Sequence, residues 1–137
     1  ESGPMDFDRC GESLHRALDF FPHHFPELAP ARAFVCGTWF FDSQYQKILP
    51  PTANIVRFQR EFYLYPLFSY DREAFRRVFG TPPTDLRHAP RDTSLQRALI
   101  DFTLSGGRLR CAGGVLPIPP LAWGSARFQT AIPDPFP

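Results

Sequence analysis

The sequence predicts an α+β domain: a small mixed β-sheet covered by helices, followed by a proline-rich extended tail. Three observations lead there. Short apolar runs of strand length alternate with longer segments whose apolar residues recur at helical spacing. Thr93-Ser94-Leu95-Gln96 has the form of a capping box, which marks a helix start. Glycines and the sixteen prolines fall between these segments and punctuate them.

A chain of 137 residues, 43% hydrophobic and 21% charged, is sized and composed as one globular domain with its own core. Its net charge of +1 carries no concentrated basic region, which argues against a nucleic-acid or anionic-membrane surface. Lys47 is the sole lysine among the fifteen basic residues. The arginine excess reads as GC-rich codon usage or as a set of anion-binding forks. Cys10, Cys36 and Cys111 lie far apart without a CxxC pair. Three cysteines and no signal peptide imply buried free thiols in a cytoplasmic protein. No apolar run is long enough to cross a bilayer. The abrupt start at Glu1 fits a fragment of a longer protein.

Taken in order, Asp8 is the expected N-cap of a first helix, with Cys10, Leu14, Ala17, Leu18 and Phe21 on its buried side. Pro22 should end it and leave His23 and His24 in a loop; two adjacent histidines without further ligands do not make a metal site. Arg32 to Phe41 is apolar on both faces and reads as a central, covered strand. Asp42 should cap a short helix, Ser43 to Leu49, stopped by Pro50 and Pro51.

The stretch Asn54 to Leu64 reads as a second strand. Val56, Phe58, Arg60, Phe62 and Leu64 would face helices. Ile55, Arg57, Gln59, Glu61 and Tyr63 would share the other face, with neighbouring side chains roughly 7 Å apart. Arg57 and Gln59 so placed could hold a carboxylate or phosphate. The plainer account of the row is a solvated strand face.

Asp71 is expected to cap the next helix, with Ala74, Phe75, Val78 and Phe79 buried and Gly80 as its left-handed terminus. After a proline-rich loop, Thr93 opens a helix with Leu95, Ala98, Leu99 and Phe102 inward, ended by Ser105-Gly106-Gly107. The last strand runs from Arg108 to Leu116, and Gly113-Gly114 marks a bulge or a close backbone approach. From Pro117 the chain reads as an extended tail that Trp123 and Phe128 could anchor.

No GxxxxGK[ST], GxGxxG or GxSxG string is present. Cys36, in mid-strand among apolar neighbours, reads as a structural thiol. Trp39 reads as a core residue or a stacking platform. Asp92 reads as a helix-start charge.

Three strings together resemble a known family: Phe34-Val-Cys-Gly-Thr-Trp39-Phe-Phe-Asp42, Leu49-Pro50-Pro51 with Asn54-Ile-Val-Arg57-Phe58-Gln59-Arg60, and Pro90-Arg-Asp92-Thr93-Ser94-Leu95-Gln96-Arg97-Ala98. With Gly106-Gly107 and Gly113-Gly114 they are similar, in the same order, to the GNAT-like C-terminal domain of bacterial acyltransferase-type proteins. The resemblance implies domain bounds of 1–116, leaving 117–137 as the tail. It implies a GNAT-like fold, an acyl-CoA-dependent transfer activity, acyl-CoA as cofactor, and an N-terminal acyltransferase domain upstream. The pyrophosphate-binding turn of acyl-CoA N-acetyltransferases, Arg/Gln-x-x-Gly-x-Gly/Ala, has only two near-matches. Arg77 to Gly80 ends a helix, and Arg110 to Gly114 lies within a strand.

Two functions of different class follow as expectations. In the first, the chain is part of an acyltransferase whose cleft is lined by Trp39, Arg57, Gln59, Asp92 and Gln96, with Arg57 on an anionic group and the two glutamines orienting it. In the second it is a non-catalytic module that binds a partner domain or self-associates as a homodimer.

Overall fold

The computed structural model describes residues 5–68, 72–118 and 121–126. Helix α1 (Phe7–His24) opens the chain and is capped by Asp6, whose carboxylate accepts from the Arg9 N–H at 3.0 Å. Asp8, the expected cap, lies in the first turn, where its charge faces the positive helix end. Pro22 does not stop the helix. It falls in the last turn, where its missing N–H forfeits one bond, so His23 and His24 are helical and not in a loop.

Strand β1 (Ala33–Thr38) runs into a 3₁₀ turn, Trp39–Phe41. Short helices α2 (Tyr45–Ile48) and α3 (Asn54–Gln59) follow, then strand β2 (Tyr63–Pro66). Helix α4 (Glu73–Phe79) ends at Gly80, with φ of 75°. Helix α5 (Ser94–Leu104) carries the complete capping box: Thr93 Oγ1 accepts from the Gln96 N–H at 3.1 Å, and Gln96 Oε1 from the Thr93 N–H at 2.9 Å. Strand β3 (Ala112–Pro117) closes the sheet. The expected cap at Asp71 and anchor at Phe128 lie outside the described residues, as does most of the expected tail.

The sheet has the order β1-β3-β2 and is antiparallel throughout, where a mixed sheet was expected. Strand β1 is an edge, not the covered centre, and Cys36 on it is exposed. Cys10 and Cys111 are half-buried, so none of the three thiols has the expected burial. Pairing is continuous from Ala33↔Pro117 to Thr38↔Ala112, so Gly113-Gly114 makes no bulge. The glycines serve the other expectation, close approach: a Cβ on Gly113 would strike the Tyr65 ring, and one on Gly114 the Phe41 ring.

Alternation across the sheet separates its faces. Phe34, Leu64, Ala112 and Leu116 point inward onto Phe41, Phe58, Phe62 and Trp123. The other face carries Val35, Val115 and Tyr63 in one register row, with Tyr65 in the next. A second core joins α2 to α5 through Tyr45, Leu49, Val56, Leu99 and Leu109, and Phe40 packs against both cores.

The largest departure from the sequence reading is at Asn54 to Leu64. Its first half is helix α3, not strand, and only its last two residues enter β2. The buried residues Ile55, Val56 and Gln59 lie one and four positions apart, which is helical spacing.

Candidate functional site

Because α3 is a helix, the residues read as one polar row point three ways. Arg57 is exposed on α3, and its guanidinium lies 4.0 Å from the centre of the Phe7 ring, a cation–π contact with the start of α1. Gln59 is fully buried. Its Nε2 donates to the Phe40 carbonyl at 2.7 Å and the Asp42 carbonyl at 2.8 Å, which fixes the backbone around the 3₁₀ turn. Glu61 is also buried, and its two oxygens accept from the Gly124 and Ala126 N–H groups, each at 3.0 Å.

Asp42, read from sequence only as a cap, is the hub of this buried polar region. Its carboxylate accepts from the Gln44 N–H at 3.0 Å, from Gln44 Nε2 at 3.2 Å and from the Arg110 N–H at 2.6 Å. One side chain thereby ties the end of β1 to the approach to β3. Tyr45 lies beside it, completely buried. Burial, and then the Asp42 carboxylate and Cys111, push the Tyr45 hydroxyl far above the ordinary tyrosine range. That hydroxyl has no hydrogen-bond partner among the described residues, and neither does Gln59 Oε1.

Trp39 stands at the edge of this region. It is half-buried, with its ring edge-on to Tyr45 at 5.8 Å and to Phe40 at 5.6 Å, and α4 packs against the 3₁₀ turn that carries it. Trp39 and Gln59 are therefore brought together through the Phe40 backbone.

Asp92 and Gln96 form a second group. They line an open recess of about 410 Å³ between α4, the loop before α5 and the start of α5, with Phe79, Asp85 and His88 on its other walls. Asp85 holds that loop: its carboxylate accepts from the Arg87 N–H at 2.9 Å and meets His88 Nδ1 at 2.8 Å. Those bonds, the backbone one first, hold the Asp85 carboxyl below its usual range. Arg97 donates to the carbonyls of Arg91 and Asp92 at 2.7 and 3.0 Å and so fixes the turn into α5. The five expected residues thus resolve into Asp92 with Gln96, Trp39 with Gln59, and Arg57 apart against α1.

The long-range bonds of two carboxylates, Asp42 and Glu61, escaped the sequence reading. Their partners at Arg110, Gly124 and Ala126 are more than sixty residues away in sequence. No local spacing could have announced them.

The chain belongs to the GNAT-like C-terminal domain family, whose model matches residues 1–116. Among solved structures it is similar to an acyltransferase in complex with decanoyl-CoA, at 28% identity and a TM-score of 0.75. It is also similar to an acyltransferase in complex with CoA and 10C-teicoplanin, at 29% identity and 0.72, and to one in complex with decanoyl-CoA and teicoplanin, at 30% and 0.72. Each likeness covers 85% of this chain but 37% of the other, so the chain spans little more than a third of those proteins. No curated protein matches it. Among the described residues, no helix is long and apolar enough to cross a membrane.

Proposed function

We propose that this chain is the C-terminal part of an acyl-CoA-dependent acyltransferase and contributes to the cleft for acyl-CoA or for its acceptor. One observation carries the reading: over 85% of its length the chain shares both fold and 28–30% of its residues with acyltransferases in acyl-CoA or CoA complexes. Asp92 and Gln96, on one recess, are the residues we assign to direct contact. Trp39 forms an apolar wall near α4, and Gln59 acts behind it by holding the Phe40 and Asp42 carbonyls. Arg57, exposed and without a carboxylate partner among the described residues, supplies a positive charge for an anionic group of the substrate or cofactor.

The partner in this reading is an upstream acyltransferase domain. The surface suited to it is the outer sheet face, where Val35 is 65% and Tyr63 54% exposed. Apolar and aromatic side chains in register on an uncovered face are what a domain interface requires.

A thermal-shift titration of this chain with CoA, octanoyl-CoA and decanoyl-CoA tests the proposal. A saturable rise in Tm with the thioesters supports it. An unchanged Tm with all three contradicts it. Calorimetry on Arg57→Ala tests that residue separately: weaker binding with an unchanged fold is expected, and identical binding removes Arg57 from the site.

A further inference from the structure

A second recess, of about 740 Å³, lies between α4, α5 and the approach to β3. That volume falls within the roughly 300–1,000 Å³ of small-molecule sites. Its polar rim consists of Arg72, Arg108, Thr84 and Thr103, and its apolar walls include Phe75, Pro83 and Leu109. Among the described residues, no aspartate or glutamate lines it.

The pairing of arginines in this part of the fold is informative. Arg76 and Arg77 both bind Glu73, at 2.9 and 2.8 Å, and Arg91 binds Asp101 at 2.8 Å. Arg72 and Arg108 have no such partner: among the described residues neither guanidinium makes a hydrogen bond or ion pair. Both of these guanidinium groups stand on the wall of one recess. Guanidinium forks match phosphate oxygens in geometry and charge, and the threonine hydroxyls add rotatable donors. The apolar walls suit a flat or aliphatic body attached to the anion.

We propose that this recess binds an organic phosphate, with Arg72 and Arg108 holding the phosphoryl group and the Phe75 side taking the organic part. The phosphate could come from a free nucleotide or from the nucleotide end of CoA. The second source rests on the acyl-CoA reading; the first does not.

The test is calorimetric titration of the full chain with adenosine 3′,5′-bisphosphate and with CoA, for the wild type and for an Arg72→Ala/Arg108→Ala double variant. Neither side chain makes a bond among the described residues, and circular dichroism checks that the variant remains folded. The expected result is saturable binding to the wild type, weakened by added salt, and weaker by at least about tenfold in the double variant. CoA binding tighter than the bisphosphate identifies the cofactor as the source; equal affinity identifies free nucleotide phosphate. The proposal is overturned if neither ligand binds the wild type, or if both bind the double variant as well as the wild type. Decanoyl-CoA that still stabilises the double variant fully, while bisphosphate binding is lost, would leave the acyltransferase reading intact and make free nucleotide phosphate the source.

Discussion

Glu61→Gln is the substitution with the most to say about how this fold is closed. The Glu61 carboxylate is 2% exposed and binds the Gly124 and Ala126 N–H groups at 3.0 Å, one on each oxygen. Those bonds hold the segment that carries Trp123. The indole stacks on Phe7 at 4.8 Å, meets Phe58 edge-on at 5.4 Å, and donates from Nε1 to the Phe7 carbonyl at 3.1 Å. Glutamine fits the volume but offers one acceptor oxygen. One bond is therefore lost, with an amide N–H₂ set against a backbone N–H, and the other falls from charge-assisted to neutral. At roughly 1.5–3 kcal/mol for a charged hydrogen bond and about 1 for a neutral one, the loss is about 3 kcal/mol. For a chain of this size that lowers Tm by roughly 10 °C. Urea denaturation measures the stability, and amide exchange at Gly124 and Ala126 shows whether the segment has undocked. A variant within about 0.5 kcal/mol of wild type, with exchange at those two amides unchanged, would refute the assignment of Glu61 as the clasp.

Two further substitutions test the packing. Gly11→Ala lies within α1, where alanine ordinarily gains about 1 kcal/mol, but the added Cβ would overlap the Trp123 indole. The variant should therefore lose about 1–3 kcal/mol in urea denaturation, and a gain would show that the indole does not occupy that slot. Tyr45→Phe removes a buried hydroxyl that has no partner among the described residues, so stability should hold or rise by up to about 1 kcal/mol. Because the folded Tyr45 hydroxyl is held above its unfolded value, its contribution is intact below the ordinary tyrosine pKa and declines as pH rises past about 10. Tyr45→Phe should flatten that alkaline decline; an identical slope in both proteins would contradict the burial argument.

Much of the outline is legible in the residues because its signals are local. The Thr93–Gln96 box satisfies its own N–H groups within four residues, and Gly80 ends α4 with the positive φ that glycine allows. Gly113-Gly114 announces that something approaches the backbone, though not that Tyr65 and Phe41 do so. Asn54 to Leu64 misleads because Val56, Phe58, Phe62 and Leu64 fall on a two-residue period, while six helical residues are too few to establish a period of 3.6. What settles the conformation is tertiary: Gln59, turned inward by the helix, bonds the Phe40 and Asp42 carbonyls. The candidate site is legible only where it coincides with a local motif. Gln96 belongs to the box, Asp92 directly precedes it, and the two do share a recess, whereas grouping Arg57 with Gln59 depended on a strand that is not there.

The account stands most directly on whether this chain presents a surface for an acyl thioester beside α5. Two-dimensional amide NMR during titration with decanoyl-CoA measures that. The account predicts saturable shifts of the Asp92 and Gln96 amides and of the Trp39 indole N–H, all following one binding curve. Spectra unchanged at saturating thioester, or shifts that avoid those three groups, would contradict it.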